Sequence, residues 1–453
     1  MKIYSIILAA GEGKRMKSKT AKPLQKVCGN AIIDRVLDAA EGVGSEKNVV
    51  VIGHKAEEMR EHLGDRAKYA YQHEQLGTGH AVMQGIAEIP ENDGIIMALC
   101  GDTPLITAET LKKALDEHIA EHRAATVISA ICENPFGYGR IVREDGKICR
   151  IVEEKDASDE EKKICEINAG MFFFNAEKLK EALGCLKCDN AQGEYYLTDT
   201  VEILLSKGEN VGVSIVDFED TLGVNDRIQL AAAEKICNRR EVMRIMRDGV
   251  TVIDPDRTYV SSEAVIGADT VIYPNCYIEG KSIVGEDCII GPDTTLKNST
   301  VGCKTTVERS VLVDSSVGSN TNVGPFAYMR PNSKVGSNVK IGDFVEIKNS
   351  SIDDGTKVAH LTYVGDADVG KRVNFGCGTV IVNYDGISKH RTTIGNDAFI
   401  GCNSNLVSPV TVKDGAYTAA GSTITQEVPE NALAIARSRQ VNKEGWAAKK
   451  RGK

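Results

Sequence analysis

The chain has 453 residues, of which 42% are hydrophobic and 26% charged, with a net charge of −9. That length is about three times the usual domain of ~150 residues, so two or three domains are expected. The acidic balance argues against a nucleic-acid binder, and no run approaches the ~18 apolar residues of a membrane span, which points to a cytoplasmic protein without membrane partners.

The first half reads as alternating strands and helices. KIYSIILAA (2–10) is a buried strand, AIIDRVLDAAEGV (31–43) has helical spacing, and KNVVVIG (47–53) and IIMALCGD (95–102) are further strands. This alternation predicts a mainly parallel sheet with covering helices, and ligands at the carboxyl ends of its strands. The loop LAAGEGKRM (8–16) follows the first strand. Its Gly11-x-Gly13 lacks the third glycine of a dinucleotide fingerprint, since position 16 is Met16, so NAD binding is not expected. Glycine-flexible backbone N–H groups with Lys14 and Arg15 suit a polyphosphate instead. Thirteen scattered cysteines, an odd number, read as reduced thiols.

Residues 226–248 form one helical pattern, with Ile228, Ala232, Ile236, Val242 and Met246 near one stripe and Gly249 as its stop. It reads either as a connector between domains or as a helix packed on the first domain. From about 250 the period changes to six. Ile266, Ile272, Ile278, Val284 and Ile290 are six apart, and so are Ile394, Ile400, Leu406, Val412, Thr418 and Ile424. Hexads build a parallel β-helix, three to a coil, with the apolar residue inward. Two stretches read as breaks in the period: GPFAYMRPNSK, which carries Arg330, and VNYDGISKHRTT, a loop projecting between Ile381 and Ile394. Insertions on one face of a repeat array often bind ligands.

LAAGxGxRM followed by Lys22-Pro23 resembles the sugar-1-phosphate nucleotidyltransferases. QLGTGHA (75–81), GDTPL (101–105), GYGR (137–140), EINAG (166–170) and GVNDR (223–227) continue the match in order. With the hexads, the whole chain resembles the bacterial family of bifunctional N-acetylglucosamine-1-phosphate uridyltransferases and glucosamine-1-phosphate acetyltransferases. The resemblance implies an α/β, Rossmann-like nucleotidyltransferase domain over 1–225. A connecting helix over 226–249 and a left-handed parallel β-helix with a C-terminal tail over 250–453 follow. It implies homotrimers. It also implies two reactions that supply UDP-N-acetylglucosamine to the cell envelope. The first is acetyl transfer from acetyl-CoA to glucosamine-1-phosphate. The second is uridylyl transfer from UTP to N-acetylglucosamine-1-phosphate with Mg²⁺.

For the uridylyl site the resemblance implies Asp102 and Asn225 as Mg²⁺ ligands and Arg15 and Lys22 as phosphate-neutralising catalytic groups. Leu8, Gly11, Gln72, Gly77 and Thr78 would hold the nucleotide, and Gly139, Glu153 and Asn168 the amino sugar. Lys22 here precedes Pro23, whereas many relatives have the order Pro-Lys. For the acetyl site it implies His360, in KVAHLTYVGD (357–366), as general base. Arg330, Lys348, Tyr363 and Asn374 would hold the sugar phosphate. Asn383, Tyr384 and Lys389 on the projecting loop would touch acceptor and cofactor, and Cys402, Ala420 and Arg437 the acetyl-CoA. Cys402 stands where relatives often carry serine. The chemistry suits these types: a histidine takes a proton near neutral pH, and attack on a thioester needs an unprotonated amine. Two other readings compete. One is a single nucleotidyltransferase whose β-helix is a scaffold, against which His360 and Lys348 speak. The other is a non-enzymatic subunit like some translation-initiation exchange factors, against which Arg15, Lys22, Asp102 and Asn225 speak.

Overall fold

The computed structural model describes residues 2–452. The chain divides into two compact units that meet within one helix, between Cys237 and Asn238.

The first unit is a nine-stranded sheet. Its main path runs Val211–Val216, Ala125–Ile131, Glu166–Asn175, Ile95–Cys100, Ile3–Leu8, Lys47–Ile52, Lys68–Tyr71. Every neighbouring pair on this path is parallel except those of Glu166–Asn175, which runs antiparallel to both of its neighbours. The near-continuous apolar runs of the central strands are explained by apolar clusters on both faces. One gathers Ile6, Val49, Val51 and Phe172 and the other Ile7, Val50, Leu99 and Phe173. The antiparallel strand breaks register between Asn168 and Phe172, and the hairpin Gly139–Glu144/Lys147–Val152 pairs onto its first residues. That bulge turns Asn168 toward Gly139.

The helix Arg227–Arg247 buries a different stripe from the expected one. Ile228 is 82% exposed and Met246 is exposed, while Ala233, Cys237, Asn238, Val242 and Ile245 are buried. Ala233 and Cys237 join Met16, Val27, Ile32 and Leu105 in the first unit. Val242 and Ile245 begin the core of the second. A single stripe fails because the two halves belong to different cores.

The second unit is a coil of parallel strands in three sheets of eleven, ten and nine strands. Inward residues such as Ile272, Ile278, Ile290, Ile347 and Leu406 are fully buried, each worth about 1.5–3 kcal/mol of transfer free energy. Strands pair about one coil apart, as in Val271↔Ile289 and Ile283↔Thr300. The recurrent glycines serve close approach between coils: a Cβ on Gly267 would lie 2.6 Å from the Glu286 nitrogen, and one on Gly285 2.7 Å from that of Cys303. The left-handed turn positions are mostly Asp and Asn, including Asp269, Asn275, Asp287 and Asn298, side chains that tolerate that region. The open edge at the start of one sheet is closed by a side chain. Asn238 donates to the Thr258 carbonyl at 2.7 Å and accepts from the Val260 N–H at 3.0 Å.

One expected break is absent. Met329 is fully buried and sits six residues from both Val323 and Val335, so the hexads run through Arg330 without an insertion. Methionine replaces the usual branched residue there, which hid the period. The other break is real. A two-residue bridge, Tyr384↔Lys389, closes a loop outside the coil.

Candidate active sites

In the first unit, a cavity of about 320 Å³ opens at the carboxyl ends of the strands. Leu8, Gly11, Lys22, Gln72, Gly77, Thr78 and Asp102 are among its walls. Gly13 adopts φ 63°, and a Cβ there would lie 2.8 Å from the Lys22 Cβ, so the loop can cross Lys22 only as glycine. Lys22 Nζ donates to Asp102 Oδ2 at 2.6 Å and to Asn225 Oδ1 at 3.1 Å. Two elements bring those oxygens together: Asp102 follows the strand Ile95–Cys100, and the Val224 N–H donates to the Asp102 carbonyl at 2.8 Å. Asn225 is steadied by Gln229 Oε1, 2.7 Å from its N–H. One carboxylate and one amide oxygen thus converge on a point that a lysine ammonium fills. That donor set suits Mg²⁺, which takes one or two protein oxygens and completes its shell with waters and phosphates.

Beyond Cys100 lies a second group. The Cys100 thiol donates to the Gly170 carbonyl at 3.2 Å, and the Gly170 N–H donates to Asn168 Oδ1 at 3.0 Å. A Cβ on Gly139 would lie 3.4 Å from Glu153 and 3.5 Å from Asn168, so these three residues meet. Burial holds the Glu153 carboxyl above the usual range, against a hydrogen bond from Thr198 Oγ1 at 3.3 Å. Behind Glu153 is a cavity of about 390 Å³ walled by Asp156, Glu161, Asp189, Asp199 and Glu202. Burial and the neighbouring Glu202 and Asp156 push Asp199 up to about 6. Arg15 stands apart from both groups, exposed on the turn Lys14–Met16.

In the second unit, His360 and the cationic residues lie on different corners of the coil. His360 Nδ1 lies 2.6 Å from Asp343 Oδ1, its partner one coil earlier, and the ring is more than half exposed. That hydrogen bond holds the Asp343 carboxyl below its usual range. It also places the proton on Nδ1 and leaves Nε2 as the acceptor. Cys402, Ala420 and Arg437 follow on later coils. The Gly421 N–H donates to the Cys402 carbonyl at 2.8 Å, and a Cβ on Gly421 would lie 4.0 Å from Arg437.

The next corner carries Arg330, Lys348, Asp366 and Asn383. Arg330 donates to Glu346 at 3.0 Å, and Lys348 to Asp366 at 2.9 Å. Asn383 donates to Asp366 and, at 3.4 Å, to the Tyr363 hydroxyl. A Cβ on Gly365 would overlap that hydroxyl, so the glycine keeps room for Tyr363. Burial of Asp366 is outweighed by hydrogen bonds from Asn349, Lys348 and Asn383, which keep it ionised. Lys389 is pulled below the usual lysine range by the adjoining Lys348 ammonium. Lys348, Lys389 and Arg330 therefore face two carboxylates, Asp366 and Glu346, which leaves one positive charge unmatched. Tyr384 lies on the loop beside Lys389, its hydroxyl donating to the Gly386 carbonyl at 2.6 Å. Asn374 lies instead on the His360 side, on a strand paired with Lys357–His360 through Lys357 and with the next coil through Phe399.

Asp343, Glu346 and Asp366 escaped the reading of the sequence. Each lies 16 to 18 residues from its partner, one coil away. A search at that interval finds them.

Residues 4–222 match the Nucleotidyl transferase family, and 263–309, 314–349 and 391–426 match the Bacterial transferase hexapeptide repeats. Among curated proteins, the chain is 55% identical to the bifunctional protein GlmU of Acetivibrio thermocellus, over 99% of this chain and 98% of that one. It is 55% identical to that of Thermoanaerobacter pseudethanolicus, over 98% and 97%. It is 53% identical to that of a Geobacillus species, over 98% of each. The β-helix is accordingly of the left-handed hexapeptide kind. The chain is a member of the GlmU family of bifunctional enzymes, which join a uridyltransferase to an acetyltransferase.

Proposed function

We propose that the second unit acetylates glucosamine-1-phosphate from acetyl-CoA and that the first unit then condenses the product with UTP, giving UDP-N-acetylglucosamine in the cytoplasm. The observation that carries the acetyl step is the Asp343–His360 pair beside a cationic corner. His360 Nε2 removes a proton from the sugar amine as the nitrogen attacks the thioester carbonyl. The tetrahedral intermediate collapses with loss of CoA thiolate, which His360 reprotonates. Arg330, Lys348 and Lys389 neutralise the sugar phosphate, with Tyr363 and Asn374 beside it. Asn383, Tyr384, Cys402, Ala420 and Arg437 hold acetyl-CoA, Arg437 facing its phosphates. His360 and the cations lie on separate corners of one chain, which favours a homotrimer whose neighbouring coils complete the site.

In the first unit, a phosphate oxygen of N-acetylglucosamine-1-phosphate attacks the α-phosphorus of UTP and pyrophosphate leaves. The nucleophile is already anionic, so this chain positions and neutralises rather than deprotonates. Asp102 and Asn225 hold Mg²⁺, which neutralises phosphate charge when bound. Lys22, released from those two oxygens, and Arg15 turn to the phosphates. Leu8, Gly11, Gly77 and Thr78 wall the nucleotide, and Gln72 faces the uracil. Gly139, Glu153 and Asn168 hold the N-acetyl sugar.

The test is to supply glucosamine-1-phosphate and acetyl-CoA and follow the acetylated sugar phosphate by mass spectrometry, then to add UTP and Mg²⁺. Wild type is expected to complete both steps. His360→Ala is expected to make UDP-N-acetylglucosamine only when N-acetylglucosamine-1-phosphate is supplied. Acetyl transfer at the wild-type rate by His360→Ala refutes the base assignment.

A further inference from the structure

Gln72 is 6% exposed, on the wall of the nucleotide cavity, and its amide is part of a relay. Its Nε2 donates to the Gly77 carbonyl at 3.0 Å and lies 3.2 Å from His80 Nδ1. The other nitrogen of that ring, Nε2, lies 3.2 Å from the Gln84 amide. His80 and Gln84 are one turn apart on the helix Thr78–Ile86, and Tyr195 packs against the imidazole with ring centroids 6.5 Å apart.

Hydrogen-bond chemistry fixes the direction of this relay. The Gly77 carbonyl can only accept, so the amide nitrogen of Gln72 must face it. The second N–H of that nitrogen needs an acceptor, which makes His80 Nδ1 the bare nitrogen of a neutral ring. His80 then carries its proton on Nε2, and Gln84, whose amide can turn end for end, presents its oxygen there. Both N–H groups of Gln72 are consumed, and its carbonyl oxygen is left for the cavity.

We infer that His80, held by Gln84, is a positioning residue that turns the Gln72 oxygen to the nucleobase and so makes the site select uracil against cytosine. The inference rests on the proposed placement of uracil beside Gln72. Uracil in a nucleotide has one ring donor, N3–H, and an acceptor-only side chain can bond only to it. Cytosine in the same pose presents the N3 lone pair, which opposes the Gln72 oxygen. Accommodating cytosine in that pose requires the amide to flip, which sets the Gln72 oxygen against the Gly77 carbonyl and the bare His80 Nδ1, acceptor against acceptor.

The experiment measures kcat/KM for UTP and for CTP, with N-acetylglucosamine-1-phosphate and Mg²⁺, in wild type, His80→Phe and Gln84→Leu. Phenylalanine keeps the ring packed against Tyr195 and removes the acceptor. The UTP:CTP ratio is expected to fall about tenfold or more in His80→Phe, the size of one misdirected hydrogen bond. The change should fall mainly on the KM values of the two nucleotides. Gln84→Leu, which frees the His80 tautomer, should move the ratio in the same direction by less. A wild-type ratio preserved in both variants overturns the relay, as does a loss of kcat shared equally by UTP and CTP. If His80→Phe does not fold, Gln84→Leu alone decides, an unchanged ratio being the overturning result. A wild type that uses UTP and CTP equally overturns instead the placement of uracil at Gln72.

Discussion

The two sites hold charge in opposite ways. In the first unit Lys22 is matched by Asp102 and Asn225, a balanced cluster. In the second, Lys348, Lys389 and Arg330 outnumber the carboxylates of Asp366 and Glu346 by one, and the adjoining Lys348 holds Lys389 below its usual range. On the proposed reading, Mg²⁺ would replace the Lys22 ammonium at the first site, whereas the second would take up an anion. They also differ in how they are assembled. Asp102 and Asn225 are 80 and 203 residues from Lys22, joined by a sheet. Each pair at the second site is about one coil apart.

Substitution of Asp102 should break the comparison most strongly. Asp102→Asn keeps the shape but loses the charge that balances Lys22, and uridylyl transfer is expected to fall by about 10²–10³. Acetyl transfer should be unchanged, which coupled pyrophosphate and mass-spectrometric assays on one preparation would check. His360→Ala should do the reverse, with acetyl transfer reduced by about 10²–10⁴. Asp343→Asn should cost less, about tenfold in kcat with little change in KM for the sugar, because the base remains and only its tautomer is freed.

The lysine pair gives a pH test. Lys389 loses its proton below the normal lysine range, so its help to an anion is present at neutral pH and lost as pH rises through that depressed value. KM for glucosamine-1-phosphate should therefore climb at alkaline pH. Lys348→Met removes the ammonium that depresses Lys389, and the climb should then begin at a higher pH.

The smallest effect concerns stability at the acidic cavity. Asp199 titrates at about 6 in the folded chain and near 3.8 when unfolded, so the native state binds more protons between those values. Its contribution becomes less favourable as pH rises from about 4 to 6, and the penalty persists above that. Asp199→Asn should raise the melting temperature at pH 7.5 by a few degrees, corresponding to about 1 kcal/mol after allowing for solvent screening. The gain should vanish near pH 4. An equal gain at both pH values would show that packing, not charge, is responsible.

Periodicity made much of the fold legible. The strands Ile3–Leu8, Lys47–Ile52 and Ile95–Cys100 and the inward hexad residues follow from local patterns that burial imposes on any sequence adopting them. The same reliance on pattern misread Met329, where an unbranched residue fills an inward position, and the Arg227–Arg247 helix, whose two halves answer to different cores.

The family resemblance brought out Lys22, Asp102, Asn225, His360 and Lys348, since a turn-capping aspartate or a surface histidine is the ordinary reading of such residues taken singly. Their partners were not legible. Asp343 beside His360, Asp366 between Lys348 and Asn383, and His80 behind Gln72 are ordinary polar residues until the fold sets them within hydrogen-bonding distance. The sequence alone determined two fold types, since these depend on local periodicity, and it proposed side chains for each reaction from chemical type and family resemblance. Only the tertiary structure decided which oxygen meets which ammonium, which imidazole nitrogen is free and which end of an amide faces the cavity. Hydrogen bonds and charges act over a few ångströms, and only folding brings those distances about.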